Sequence, residues 1–128
     1  MIKKMSILGV VDNCGISKVK TIHHYHGFNK QTSYPGEFLK ISVRVRKYNY
    51  KWVKSKKMFV SKKGTKHRAY FIRASYRHTK PDGTYIRFRE NKAALLKKRL
   101  TTRGKFVKGP FFYGLKRKKI IQSFPGCI

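Results

Sequence analysis

Hydrophobic and polar positions alternate most cleanly over residues 39–46. Leu39, Ile41, Val43 and Val45 are apolar, whereas Lys40, Ser42, Arg44 and Arg46 are polar. A period of two predicts a strand with one face on a core and a cationic face turned outward. Residues 6–11 and 19–26 read as earlier strands, separated by the turn-forming Asp12-Asn13-Cys14-Gly15. Residues 69–75 form an apolar run of strand length. Lys80-Pro81-Asp82-Gly83-Thr84 predicts a tight turn, because proline presets φ and an Asp-Gly step tolerates left-handed backbone. Residues 85–88 and 93–96 complete the strands, joined through Glu90 and Asn91.

Helical signals are few. Residues 91–99 carry helix formers enough for a turn or two, in competition with the strand at 93–96, and residues 115–121 form a short candidate after Gly109-Pro110 and Gly114. Many short strands with regular turn signals predict a mostly β chain closed into a small barrel, which removes exposed sheet edges. No internal repeat or linker divides the sequence, so one domain over residues 1–128 is expected.

Residues 47–63 break the pattern. Tyr48, Tyr50, Trp52 and Phe59 are interleaved with Lys47, Lys51, Lys54, Lys56, Lys57, Lys62 and Lys63. Aromatic and cationic residues mixed in this way suit a β-ribbon or long loop laid on RNA, with rings over riboses and ammonium groups on phosphates. The competing reading is a hairpin whose rings pack on the barrel while its lysines are merely solvated.

Charge strengthens the RNA reading. The chain has 33 Lys and Arg against four Asp and Glu, a formal net charge of +29 in 128 residues. So much like charge repels itself in a compact domain, and phosphates relieve it with release of counterions. Disorder is the ordinary alternative for a basic chain, but 40% hydrophobic and 14% aromatic residues supply a core. An anionic membrane surface fits less well, since no basic amphipathic helix separates from the rest. The apolar run near the start meets Asp12-Asn13 too soon for a secretory leader; the chain is either made where it works or a processed form, and the initiator Met1 favours the first. Cys14 and Cys127 form no CxxC pair and are expected as reduced thiols.

Catalytic chemistry is poorly supplied. Asp12, Glu37, Asp82 and Glu90 are the only carboxylate side chains, and no two have helical i, i+4 spacing. His23, His24 and His26 form a cluster in which His24 and His26 share one face of a strand, yet further ligands for a metal are scarce. Surface or RNA-facing histidines are the expectation. No GxGxxG or P-loop occurs, so no catalytic site, metal, cofactor or small-molecule substrate is expected.

Several segments resemble one known family, the universal large-subunit ribosomal protein number fourteen. Val11-Asp12-Asn13-Cys14-Gly15 is similar to its Ala-Asp-Asn-Ser-Gly opening, and Tyr34-Pro35-Gly36-Glu37 to its Val-Gly-Asp turn. The most specific match is residues 81–96, Pro-Asp-Gly-Thr-Tyr-Ile-Arg-Phe-Arg-Glu-Asn-Lys-Ala-Ala-Leu-Leu, which resembles the family's Pro-Asp-Gly-Ser turn followed by Ile-Arg-Phe-Asp-Glu-Asn-Ala. The order continues through Gly109-Pro110 to residues 119–125, similar to the family's Lys-Ile-Val-Ser-Leu-Ala-Pro.

The resemblance implies a five-stranded β-barrel with a projecting ribbon and a C-terminal segment, here with little helix. It implies a structural ribosomal protein that binds large-subunit rRNA near the subunit interface, touches neighbouring ribosomal proteins and helps bridge to small-subunit rRNA. Carried over by position, Asp12, Asn13, Gly15, Gly36, Asp82, Gly83, Phe88, Asn91, Gly109 and Pro110 are expected to be architectural. The expected RNA contacts, ranked by charge and position, are Arg44, Arg46, Lys47, Lys51, Trp52, Lys54, Lys56, Lys57, Lys62, Lys63, Lys66, Arg68, Arg77, Lys80, Arg87 and Arg103. Residues 48–60 are longer than the usual family sequence, and Arg89 stands where the family has aspartate. Heavy use of Lys, Phe, Tyr and Ile suggests an organelle-encoded member of a mitochondrial ribosome, with a plastid or bacterial ribosome second. The alternative function is a free small-barrel RNA-binding module or chaperone, because a fold does not settle a function.

Overall fold

A computed structural model of the chain describes residues 1–47, 62–104, 106–111, 114, 115 and 120. Among these described residues nine strands run in order: β1 (Ile2–Lys3), β2 (Ile7–Val10), β3 (Ile16–His24), β4 (Thr32–Ser33), β5 (Phe38–Arg46), β6 (Lys66–Arg73), β7 (His78–Thr79), β8 (Tyr85–Ile86) and β9 (Lys92–Leu96). Five of them close a barrel in the order β2-β3-β5-β6-β9. Neighbours are antiparallel except at the closure, where β2 and β9 run parallel. The mostly β, closed-barrel expectation holds.

Alternation explains β5. Leu39, Ile41 and Val43 are fully buried in the barrel, while Lys40 and Arg44 are exposed. Val45 departs from the expected pattern and is exposed. Pairing with β6 ends at Ser42↔Lys66, the Val43 N–H still donates to the Thr65 carbonyl and the Gly64 N–H to the Val43 carbonyl, and Val45 lies past these last contacts with the β6 side among the described residues.

The apolar runs of β6 and β9 have a different cause. Ala69, Phe71, Ala93 and Leu95 fill the barrel, whereas Tyr70, Ile72, Ala94 and Leu96 join an outer cluster with Phe38, Val107, Leu115 and Ile120. Strands buried on both faces lose alternation. This double burial also overrides the helix signal at residues 91–99: β9 pairs with both β2 and β6, and only a turn follows, with the Leu100 N–H donating to the Lys97 carbonyl. The strand expected at 19–26 starts earlier, at Ile16, and stops at His24 because His26 takes a φ of 127°. The expected ribbon or loop at 47–63 lies almost wholly outside the described residues, as do Lys51, Trp52, Lys54, Lys56 and Lys57 and most of residues 115–121.

The turn after β2 is tied to the far end of the chain. Asp12 is 1% exposed, and its Oδ2 accepts the Leu95 N–H at 3.0 Å. Asn13 Oδ1 accepts the Phe106 N–H at 3.3 Å, and the Lys108 N–H donates to the Val11 carbonyl. Gly104 sits so close that an added Cβ would lie 2.7 Å from the Asp12 Cβ, which only glycine avoids. Arg73, at the end of β6, donates from Nε to the Pro110 carbonyl at 2.6 Å and from Nη2 to the Lys108 carbonyl. These contacts hold residues 106–111 over the outer apolar cluster.

Candidate nucleic-acid interface

The outer walls of β5, β6 and β9 divide into two parts. One is apolar and covered by Val107, Leu115 and Ile120. The other is cationic and, among the described residues, uncovered: Lys40 on β5 stands directly opposite Arg68 on β6, and Arg68 in turn opposite Leu96 on β9. Like charges directly opposite in a sheet repel. Together with Lys66, His67, Lys97, Lys98, Arg103 and Tyr25 they line an open groove of about 520 Å³ that has no carboxylate among the described residues.

All four carboxylates lie elsewhere. Glu37 Oε1 takes Lys30 Nζ at 2.5 Å, Glu90 pairs with Lys92 at 3.1 Å, Asp82 Oδ1 accepts from the Thr84 hydroxyl at 2.6 Å, and Asp12 is buried. Burial pushes Glu37 up, but hydrogen bonds from Lys30, the Tyr34 N–H and Ser33 outweigh it and hold it below its ordinary value. The Thr84 hydroxyl and N–H likewise lower Asp82. Within the groove, burial and then the Arg103 charge lower His67, which favours its neutral form.

The expected RNA contacts that lie among the described residues fall into three groups. Lys66, Arg68 and Arg103 line the groove. Arg44, Arg46, Lys47, Lys62 and Lys63 are exposed at the same end of the barrel, beyond the last β5–β6 pair. Arg77, Lys80 and Arg87 belong to the β7–β8 hairpin, past the opposite end of β6. There Arg77 stacks over the Tyr85 ring at 4.4 Å, and Arg87 Nε donates to the Ser75 carbonyl at 3.0 Å. Sequence reasoning did not select Lys40, Lys97, Lys98 or Tyr25. Lys40 was legible on the polar face of β5, whereas Lys97 and Lys98 reach the groove only through the turn after β9.

The turn residues have specific partners. Asn91 Oδ1 accepts the Ser75 N–H at 2.9 Å, the Phe88 N–H donates to the Ala74 carbonyl, and the Gly36 N–H to the Phe71 carbonyl. Gly15, Gly36, Gly83 and Gly109 all have positive φ. Pro110 supplies the carbonyl held by Arg73.

The histidine cluster differs from expectation. His24 is fully buried and shares a 2.6 Å hydrogen bond between Nδ1 and Ser33 Oγ, while His26 is exposed beyond the strand end. The two do not share a face, because the chain turns left-handed at His26. Among the described residues, no three His, Cys, Asp or Glu side chains come together as a metal site. Among the same residues, no helix is long and apolar enough to cross a membrane.

A sequence model of one family, ribosomal protein L14p/L23e, matches residues 1–125. The chain belongs to this family. The large ribosomal subunit protein uL14m of Tetrahymena pyriformis is 39% identical over 128 residues, which is 100% of both chains, and is a mitochondrial protein. L14p/L23e membership makes the chain a structural constituent of the large ribosomal subunit. Residues 81–96, whose sequence carried the resemblance, form the turn before β8, β8 itself and the closing strand β9.

Proposed function

We propose that this protein binds large-subunit rRNA of a mitochondrial ribosome, near the subunit interface. The observation that carries the reading is the groove around Lys40 and Arg68: two cations face each other across a sheet with no carboxylate among the described residues lining the site. Such an arrangement is unfavourable until a polyanion arrives, and phosphates then gain from both charges. The β7–β8 hairpin offers a second cationic surface, with Arg77, Lys80 and Arg87 at the other end of β6. Two such surfaces suit a wedge between separate RNA elements, one of them the small-subunit rRNA of a bridge, with neighbouring ribosomal proteins on the remaining faces. In this reading Asp12, Asn13, Gly15, Gly36, Asp82, Gly83, Phe88, Asn91, Gly109 and Pro110 shape the scaffold and do not contact RNA.

The experiment is sucrose-gradient fractionation of mitochondrial lysate at low and high salt, with tagged wild type and a Lys40→Gln/Arg68→Gln variant. The wild type is expected with the large subunit and the variant released at lower salt, since fewer phosphate contacts weaken retention. A protein at the top of the gradient at every ionic strength contradicts the reading and favours a free RNA-binding module.

A further inference from the structure

The groove is more than a cationic surface, because its wall holds a stacked pair. The Arg68 guanidinium lies over the Tyr25 ring, 5.1 Å from its centroid. His23 meets the same ring edge-on at 5.9 Å and 81°. Tyr25 also packs against the outer apolar cluster that includes Leu96. A ring held by three neighbours is positioned before any ligand arrives, so little ordering remains to be done on binding.

Planar guanidinium groups and aromatic rings are the platforms on which unpaired bases stack. The groove's volume of about 520 Å³ falls within the roughly 300–1,000 Å³ usual for ligand sites. An A-form duplex keeps its bases inside and offers phosphates and 2′-hydroxyls. It would reach the lysines at the rim and leave the stacked pair unused.

We propose that the groove takes an unpaired nucleotide of an RNA strand, its base stacked on the Tyr25–Arg68 pair and its flanking phosphates on Lys40, Lys66, Lys97 and Lys98. The proposal rests on the RNA-binding reading above and adds the strand state that the groove selects.

The full-length protein is titrated at fixed salt with a labelled single-stranded RNA oligonucleotide and with a blunt duplex of the same length. Arg68→Lys keeps the charge and removes the planar face; Tyr25→Leu removes the ring. The wild type is expected to prefer the single strand, and each variant to lose roughly tenfold for it, the scale of one base–aromatic stack, with a clearly smaller loss for the duplex. Millimolar nucleoside monophosphate is expected not to displace the oligonucleotide. Equal losses on both RNA forms, or no loss on either, overturn the proposal and leave RNA binding standing. Displacement by the mononucleotide overturns it in favour of a free-nucleotide site. A wild type that binds neither RNA at low salt overturns both readings. Should Tyr25→Leu fail to fold, Arg68→Lys, a change at an exposed side chain, decides alone.

Discussion

Asp12 and Leu95 are 83 positions apart, yet the Asp12 carboxylate accepts the Leu95 N–H in the buried seam where the first turn meets the closing strand. Burial is the dominant influence on this carboxyl and raises its pKa; hydrogen bonds from Cys14, Leu95 and Gly104 only partly offset it. A raised folded pKa means that the folded state binds the proton more tightly. The contribution of Asp12 to stability is therefore greatest below the ordinary carboxylate range and declines as pH rises through the window up to the folded value. Asp12→Asn is expected to flatten that decline in chemical denaturation across pH, whereas an unchanged slope would place the linkage elsewhere.

His24 acts with the opposite sign. Burial, followed by the charges of Lys4 and His23, lowers its pKa, so the folded state holds it neutral beside Ser33. The unfolded chain then binds the proton more readily, and stability falls as pH drops below the usual imidazole value. His24→Asn should remove the part of the acid sensitivity that lies between about pH 7 and the lowered folded pKa. Melting temperatures followed over that range test it, and an identical profile in both proteins would count against it.

Arg73 is the latch of the C-terminal layer. Its guanidinium satisfies the Pro110 and Lys108 carbonyls, and Gly109 leaves room for it: an added Cβ would come within 3.1 Å of Arg73 Nη2. Arg73→Met is expected to cost about 2 kcal/mol through the lost charged hydrogen bonds. Amide exchange should accelerate first at residues 106–108, ahead of β3 and β5. Uniform acceleration across the barrel would contradict a local latch.

Gly104 is constrained by space. Gly104→Ala would drive a methyl group into Asp12 and Asn13, at a cost of roughly 1–3 kcal/mol typical of overpacking. Denaturant midpoints measure it, and a neutral alanine would show that the seam relaxes easily.

The barrel was largely legible because β5 alternates from Leu39 to Arg44 and the Pro-Asp-Gly turn names its own geometry. β9 was ambiguous for a physical reason: Ala93–Leu96 is buried on both faces, and double burial erases the period that separates strand from helix. The groove was half legible. Lys66, Arg68 and Arg103 follow from charge alone, but their union with Tyr25, Lys97 and Lys98 depends on strand register, which one sequence does not encode locally. Arg73 and Gly104 were missed because each acts on a distant segment. Buried His24 was misread because a histidine's burial depends on the partner that reaches it, here Ser33 on β4.

The most direct measurement is ultraviolet RNA–protein crosslinking of purified large mitochondrial subunits, with mass spectrometry to locate the joined residues. The account predicts adducts between large-subunit rRNA and the peptides that carry Tyr25, Arg68 and Lys97. Adducts confined to other faces of the barrel, with the groove peptides recovered unmodified, would contradict it.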